Sequence, residues 1–345
     1  MAIFATAACG HRSPEQATAS QREAVTVAQC SGSAGAGGSG SASDTDAGAL
    51  IVDLGTNPQT QGNALKPYGL AYDLVKNQKI PLIWAYKTSK TASTDVDFSV
   101  DGRAFRSSAF VIPAAFVKAA QPTVAKWTAQ GVQVYGPTKG AFTPPTYFKR
   151  LTGFPNIVLD PQYGAVAQGY LTAAGFPTFP VQYPTTLNTC QDMFVLPHAD
   201  PTWANHGNLK SFVSNGGFLW AGCHAVSVLE SLDGNADGVP DMDFLSTTGL
   251  INFANHTGGY PPYNYSASSL SEPVMQFLGG VDSALSGGSE QVYLPFSGGA
   301  WRPTTRVSVW DPDQADVVAG KSPGLAVKIA YGRGYGLASS GVVMY

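Results

Sequence analysis

Cys223 is the residue whose surroundings could support covalent chemistry. It stands in Ala221-Gly222-Cys223-His224-Ala225, between an apolar run, FLWAG, and a helical stretch, HAVSVLESL. A nucleophile raised on a strand-to-helix turn needs small neighbours, because backbones approach closely there. The helix end beneath such a side chain adds partial positive charge and N–H donors, which favour a thiolate and an oxyanion. His224 follows directly, and His198 and His206 are further imidazoles in the preceding segment. The bland alternative is a buried structural thiol, since unpaired cysteine is among the most buried residue types. No CxxC pair occurs, and no His/Cys spacing resembles a zinc site.

Two other segments carry recognisable chemistry. Asp233, Asn235, Asp237 and Asp241 form the pattern D-x-N-x-D-G-x-x-D, with oxygen ligands at alternate positions and a glycine for the sharp turn. That spacing suits a structural Ca2+. The glutamate such a loop uses at its twelfth position is replaced by Phe244, with Asp243 beside it, and a solvated Asp/Asn/Gly turn would read the same way. Tyr260, Tyr263 and Tyr265 lie among prolines and could stack on a sugar or peptide, or pack on the surface of their own domain.

The elements that must position these residues alternate. ALIVDL (49–54), IPLIWAYK (80–87), SSAFVIPAA (107–115), VQVYGP (132–137), NIVLD (156–160), DMFVL (192–196) and FLWAG (218–222) read as buried strands. Helical stretches are expected over 66–77, 115–130 (with Pro122 kinking or breaking it), 163–174 and 201–217, the last stopped by Gly216-Gly217. Asp101-Gly102 between alternating runs signals a hairpin. FPVQYP (179–184) reads as an added strand. Strands alternating with helices predict a doubly wound, mostly parallel sheet covered on both faces. Ligands then bind beyond the carboxyl ends of the strands, where His198 and Cys223 fall. After 233 the pattern loosens into loops and late strands, an irregular β-rich extension ending in GVVMY.

A strand ending in PHAD, a helix ending in NGG and a strand running into WAGCHA resemble, in that order, the class I glutamine amidotransferase-like proteins. The Cys-His pair is most similar to their intracellular-protease branch. The resemblance covers roughly 190–232 well and the rest only as strand–helix order. It implies a flavodoxin-like α/β fold, Cys223 as nucleophile, His224 as base, and an oxyanion hole from the backbone N–H of His224 and of His198 or Ala199. The chain departs from the family at Ala221 and Ala225, where the family has glycine. The family's further histidine and acid follow a late strand, and Tyr345 stands where that segment would begin. Asp200 and Glu230 are the carboxylates in view for a third member. The chain is also similar to large exported bacterial proteins with this domain.

Composition fits an exported protein. Charged residues make up 12% of the 345 and Gly (39) and Pro (24) are plentiful, against roughly 25% charge in ordinary soluble domains. The net charge is -3. With no Lys/Arg cluster, a nucleic-acid partner is not expected. No apolar run reaches the roughly 18 residues of a membrane span. MAIFATAAC resembles the end of a lipoprotein signal, which would put a lipid on Cys9 and the chain on a bacterial surface or in the periplasm. Residues 10–48 read as a Gly/Ser tether, leaving a single domain over 49–345. A disulfide between Cys30 and Cys190 is a weak expectation. The reading is an exported cysteine hydrolase or amidase acting on an amide or ester, with no organic cofactor. The alternatives are a surface domain binding a small-molecule, peptide or glycan ligand, and a self-associating structural protein.

Overall fold

A computed structural model describes residues 39–55, 59–92, 94–188, 190–251, 264–265, 292–294, 299–311 and 326–345. Cys9, Cys30, Tyr260 and Tyr263 lie outside them. The protein is mixed α/β, built on two sheets and a hairpin.

The first sheet contains β1 (Leu50–Asp53), β2 (Leu82–Tyr86), β5 (Ala109–Ile112), β6 (Val134–Tyr135) and β7 (Tyr147–Leu151), in the order β6-β1-β5-β2-β7. Every neighbouring pair in it is antiparallel, where the alternation of strands and helices predicts a parallel sheet. The helix-connected strands do run the same way. β1 and β2, joined through α1 (Lys66–Tyr72, continued by a π turn over Asp73–Asn77), are both antiparallel to β5. β5 and β6, joined through α2 (Ala114–Ala129), are both antiparallel to β1. Each crossover leaves a gap that a strand of the other fills, so the two interleave and all neighbours oppose. The reversal comes from the hairpin β3 (Phe98–Val100) and β4 (Arg103–Phe105). Its two-residue turn has φ of 51° at Asp101 and 80° at Gly102, the left-handed pair such turns require.

Two calls shift. α2 runs unbroken through Pro122. The folded part begins before Ala49: Gly40 N–H donates to the Phe148 carbonyl (3.1 Å), and Arg150 pairs with buried Asp44 (2.7 Å). The Gly/Ser composition of 39–48 hid these anchors.

The second sheet has the order β11-β12-β13-β14-β10-β9-β8. β8 (Ile157–Leu159), β9 (Met193–Leu196), β10 (Phe218–Ala221) and β14 (Val342–Met344) are parallel to their neighbours in that half. β11 (Asn264–Tyr265), β12 (Arg306–Asp311) and β13 (Ala326–Arg333) extend it antiparallel. The expected strand at 179–184 is a single bridge, Val181 to Leu159. Helix α3 (Gly164–Ala173) joins β8 to β9. The predicted helix 201–217 is two short ones, α4 (Trp203–His206) and α5 (Asn208–Ser214), broken at Gly207. α6 (Ala225–Glu230) follows β10.

Period-two alternation divides the parallel half cleanly. Ile157, Leu159, Met193 and Val195 face one core, which is shared with α1, α2 and one face of the first sheet. Val158, Phe194, Leu196, Leu219 and Ala221 face another, with α5, α6 and the late strands. Each strand is therefore apolar on both faces, as a sheet covered on both sides requires. Cys190, just before β9, is disulfide-bonded, and Cys223 is not. No helix among the described residues is long and apolar enough to cross a membrane.

Candidate functional site

Three consecutive parallel strands deliver their exit loops to one edge. The loop after β10 is the elbow. Cys223 has φ of 54°, a left-handed conformation uncommon outside glycine and recurrent at functional turns. The backbone enters it through Gly222, whose N–H donates to the Leu196 carbonyl (3.0 Å). A Cβ on Gly222 would sit 2.9 Å from the Pro197 carbonyl oxygen, so a side chain there would push β9's exit loop away. Ala221 and Ala225 are both wholly buried, which explains why small residues flank the turn. The helix starts at once, the Val226 N–H donating to the Cys223 carbonyl (3.1 Å).

The loop after β9 supplies His198 and Asp200. The rings of His198 and His224 meet edge-to-face with centroids 4.3 Å apart. Asp200 Oδ1 lies 3.1 Å from His224 Nε2, with the Asp200 side chain 83% exposed and His224 15%. The Cys223 sulfur and one ring nitrogen from each of His198 and His224 all fall within 4.8 Å of one another, half-buried. Ala199 is buried in the elbow-side core.

The loop after β8 holds the β9 loop in place, and none of its residues stood out in the sequence. Gln162 brackets Asp200: its Oε1 accepts the Asp200 N–H (2.9 Å) and its Nε2 donates to the Asp200 carbonyl (3.4 Å). Tyr163 packs its ring edge-to-face on His198 at 4.6 Å. Asp160, wholly buried, meets His206 Nε2 at 3.0 Å. His206 Nδ1 lies 3.1 Å from the Thr202 backbone nitrogen and 3.3 Å from the Thr202 carbonyl oxygen, so the ring is held at both nitrogens. His206 is therefore a buried clamp on the 198–206 segment rather than a member of the cluster. The one signal that could have found this loop is positional: Asp160 sits at the carboxyl end of a buried strand, as His198 and Cys223 do.

Glu230 faces elsewhere. Its carboxylate accepts the Leu245 N–H (2.7 Å), the Ser246 N–H (3.1 Å), the Ser246 hydroxyl (2.5 Å) and the Tyr345 hydroxyl. Burial raises its carboxyl to about 7 despite these donors, and pushes the Tyr345 phenol well up. Of the two carboxylates in view from the sequence, Asp200 reaches the histidine and Glu230 ties α6 to the 245–246 turn.

The Asp233–Asp241 segment closes on itself. Asp233 accepts N–H groups of Asn235 (3.1 Å), Ala236 (2.7 Å) and Gly238 (2.7 Å). Asn235 and Asp237 accept from Asp237 N–H (3.1 Å) and Val239 N–H (2.8 Å). Asp241 takes the Lys210 ammonium (2.6 Å) and the Gly234 N–H (2.8 Å). The converging group of three metal-ligand side chains among the described residues is instead His198, Cys223 and His224. No spacing rule flags it, because two of its members sit on different loops.

No protein-family model, curated protein or solved structure matches the chain.

Proposed function

We propose that the chain is a thiol-dependent hydrolase or amidase acting on an amide or ester. The observation that carries this reading is a thiol on a left-handed elbow with two imidazoles around it, one of them held by a carboxylate. In this reading His224, oriented by Asp200, takes the Cys223 proton as the sulfur attacks the substrate carbonyl carbon. The oxyanion is held by backbone N–H groups, those of His224 and of His198 or Ala199. The tetrahedral intermediate collapses, the imidazolium returns its proton to the leaving amine or alcohol, and a thioester remains. Water, deprotonated by the same imidazole, then releases the acid and restores the thiol. The parallel half of the second sheet, with its elbow at a strand's carboxyl end, favours a flavodoxin-like, amidotransferase-like origin for this part of the chain.

Export is supported by the disulfide at Cys190, since such bonds persist in oxidising compartments. A lipid on Cys9 and Ca2+ on Asp233, Asn235, Asp237 and Asp241 belong to the same reading. Calcium would have to displace N–H donors now on those oxygens.

A second reading, a domain that binds a peptide or glycan, is favoured by the rim. Tyr163, packed on His198, is 61% exposed, and Val166 and Tyr170 on α3 are 47% and 58% exposed. Alkylation of Cys223 by iodoacetamide after chelator treatment, followed by mass spectrometry near neutral pH, separates the two. Faster labelling in the native chain than in urea, with ester turnover lost in Cys223→Ser, is the expected result. Native labelling slower than in urea removes the hydrolase and leaves the binding domain.

A further inference from the structure

We infer that Cys223, His198 and His224 form a three-ligand site for a borderline-soft divalent cation, Zn2+ being the type. Three of its features point this way. First, the donor set is one thiolate sulfur and two imidazole nitrogens, the chemistry that selects zinc over calcium or magnesium. Second, the three ligand atoms already lie within 4.8 Å of one another. A tetrahedral ion with Zn–S near 2.3 Å and Zn–N near 2.0 Å needs ligand atoms about 3.5 Å apart, so closure takes small side-chain rotations and no loop rearrangement. Third, the surrounding contacts are those that orient metal-binding imidazoles. Asp200 holds His224 Nε2 (3.1 Å), which leaves Nδ1 as the ligating nitrogen, and the Tyr163 ring braces His198 at 4.6 Å. A carboxylate on the far nitrogen of a ligating histidine fixes its tautomer and raises its basicity.

Three protein ligands leave the fourth position open to water or to a substrate oxygen. Binding displaces the thiol proton and uses the sulfur and imidazole lone pairs that nucleophilic attack would use. Metal occupancy and covalent catalysis at Cys223 therefore exclude each other, and zinc acts as a reversible block on the thiol. The inference uses the same side chains as the proposed hydrolase but does not require turnover.

The test is a Co2+ titration of the full chain after chelator treatment, read by absorbance. A sulfur-to-cobalt charge-transfer band in the near ultraviolet is expected, with visible bands of tetrahedral intensity, saturating near one equivalent. Zn2+ should bleach both. Iodoacetamide labelling of Cys223 should slow at least about tenfold with zinc and recover with chelator. Cys223→Ser should abolish the charge-transfer band, His198→Gln should shift or lose the tetrahedral bands, and Asp200→Asn should weaken affinity by about tenfold. Circular dichroism checks that each variant is folded. Absence of the band, its survival in Cys223→Ser, or labelling indifferent to zinc overturns the inference. A zinc-protected thiol in a chain that turns over no ester would sink the hydrolase and leave the metal site standing.

Discussion

The two sheets use the same connection, strand–helix–strand, and reach opposite outcomes. In the first, two crossovers interleave, so neighbouring strands oppose and their exit loops alternate between the two edges. Buried carboxylates in and beside it each pair with a cation. Lys90 and Asp97 are both inaccessible and 2.9 Å apart, and Asp97 also accepts the N–H groups of Lys87 and Ser108. Arg103 lies 2.6 Å from Asp53, whose carboxyl burial raises to about 6. In the second sheet, β8, β9 and β10 run side by side in sequence and direction, so three exit loops share one edge. Each loop there grips the next: Gln162 and Tyr163 hold the His198–Asp200 segment, and that segment holds His224. Interleaving makes a stable platform; parallel succession makes a place where side chains distant in sequence can act together.

The largest test of this contrast is Asp97→Ala, which strands a buried ammonium beside the first sheet, in the segment between β2 and the hairpin. It should cost about 3–5 kcal/mol in urea unfolding, while Cys223 alkylation in the folded fraction stays unchanged. Altered alkylation would mean the sheets are not separable in this way.

Next is the pH dependence of the Glu230 site, where a carboxylate is buried among neutral donors and no cation. Its folded-state carboxyl sits at about 7 against an ordinary 4.5, so the folded chain keeps a proton that the unfolded chain releases. That contribution is present in full below about pH 4.5 and is lost as pH rises through 7, on the order of 3 kcal/mol. Urea midpoints between pH 5 and 8 should fall with rising pH, and Glu230→Gln should flatten the slope.

His206→Ala leaves Asp160 buried without its imidazole. Unfolding should weaken by about 2–3 kcal/mol, and because the clamp holds the β9 loop, the alkylation rate should change as well. A stability loss with an unmoved rate would show that the clamp does not reach the site. The smallest effect belongs to Asp200→Asn. A contact with so exposed a carboxylate is worth no more than about 1 kcal/mol, so stability should hold and the alkylation rate near neutral pH should change by less than about fivefold.

Much of this arrangement was legible locally. The hairpin turn, the apolar runs of β1, β2, β5, β8, β9 and β10, and the elbow at Cys223 follow from turn chemistry and periodicity. β7 was not, because Lys149 and Arg150 break its apolar pattern while Phe148 and Leu151 alone are buried. Residues 39–48 read as tether because Asp44 gains its meaning only from Arg150, far along the chain.

The sequence by itself determined most of the buried strands, the sharp turn of the hairpin, and that Cys223 would emerge between a strand and a helix. These depend on near neighbours, through sterics and side-chain period. Only tertiary structure decided that crossovers interleave in one sheet and succeed one another in the other. The same step chose Asp200 over Glu230 for the histidine and joined His198 to Cys223 and His224. Pairing partners are set by which faces must be covered and which loops share an edge, and no local window of residues contains that information.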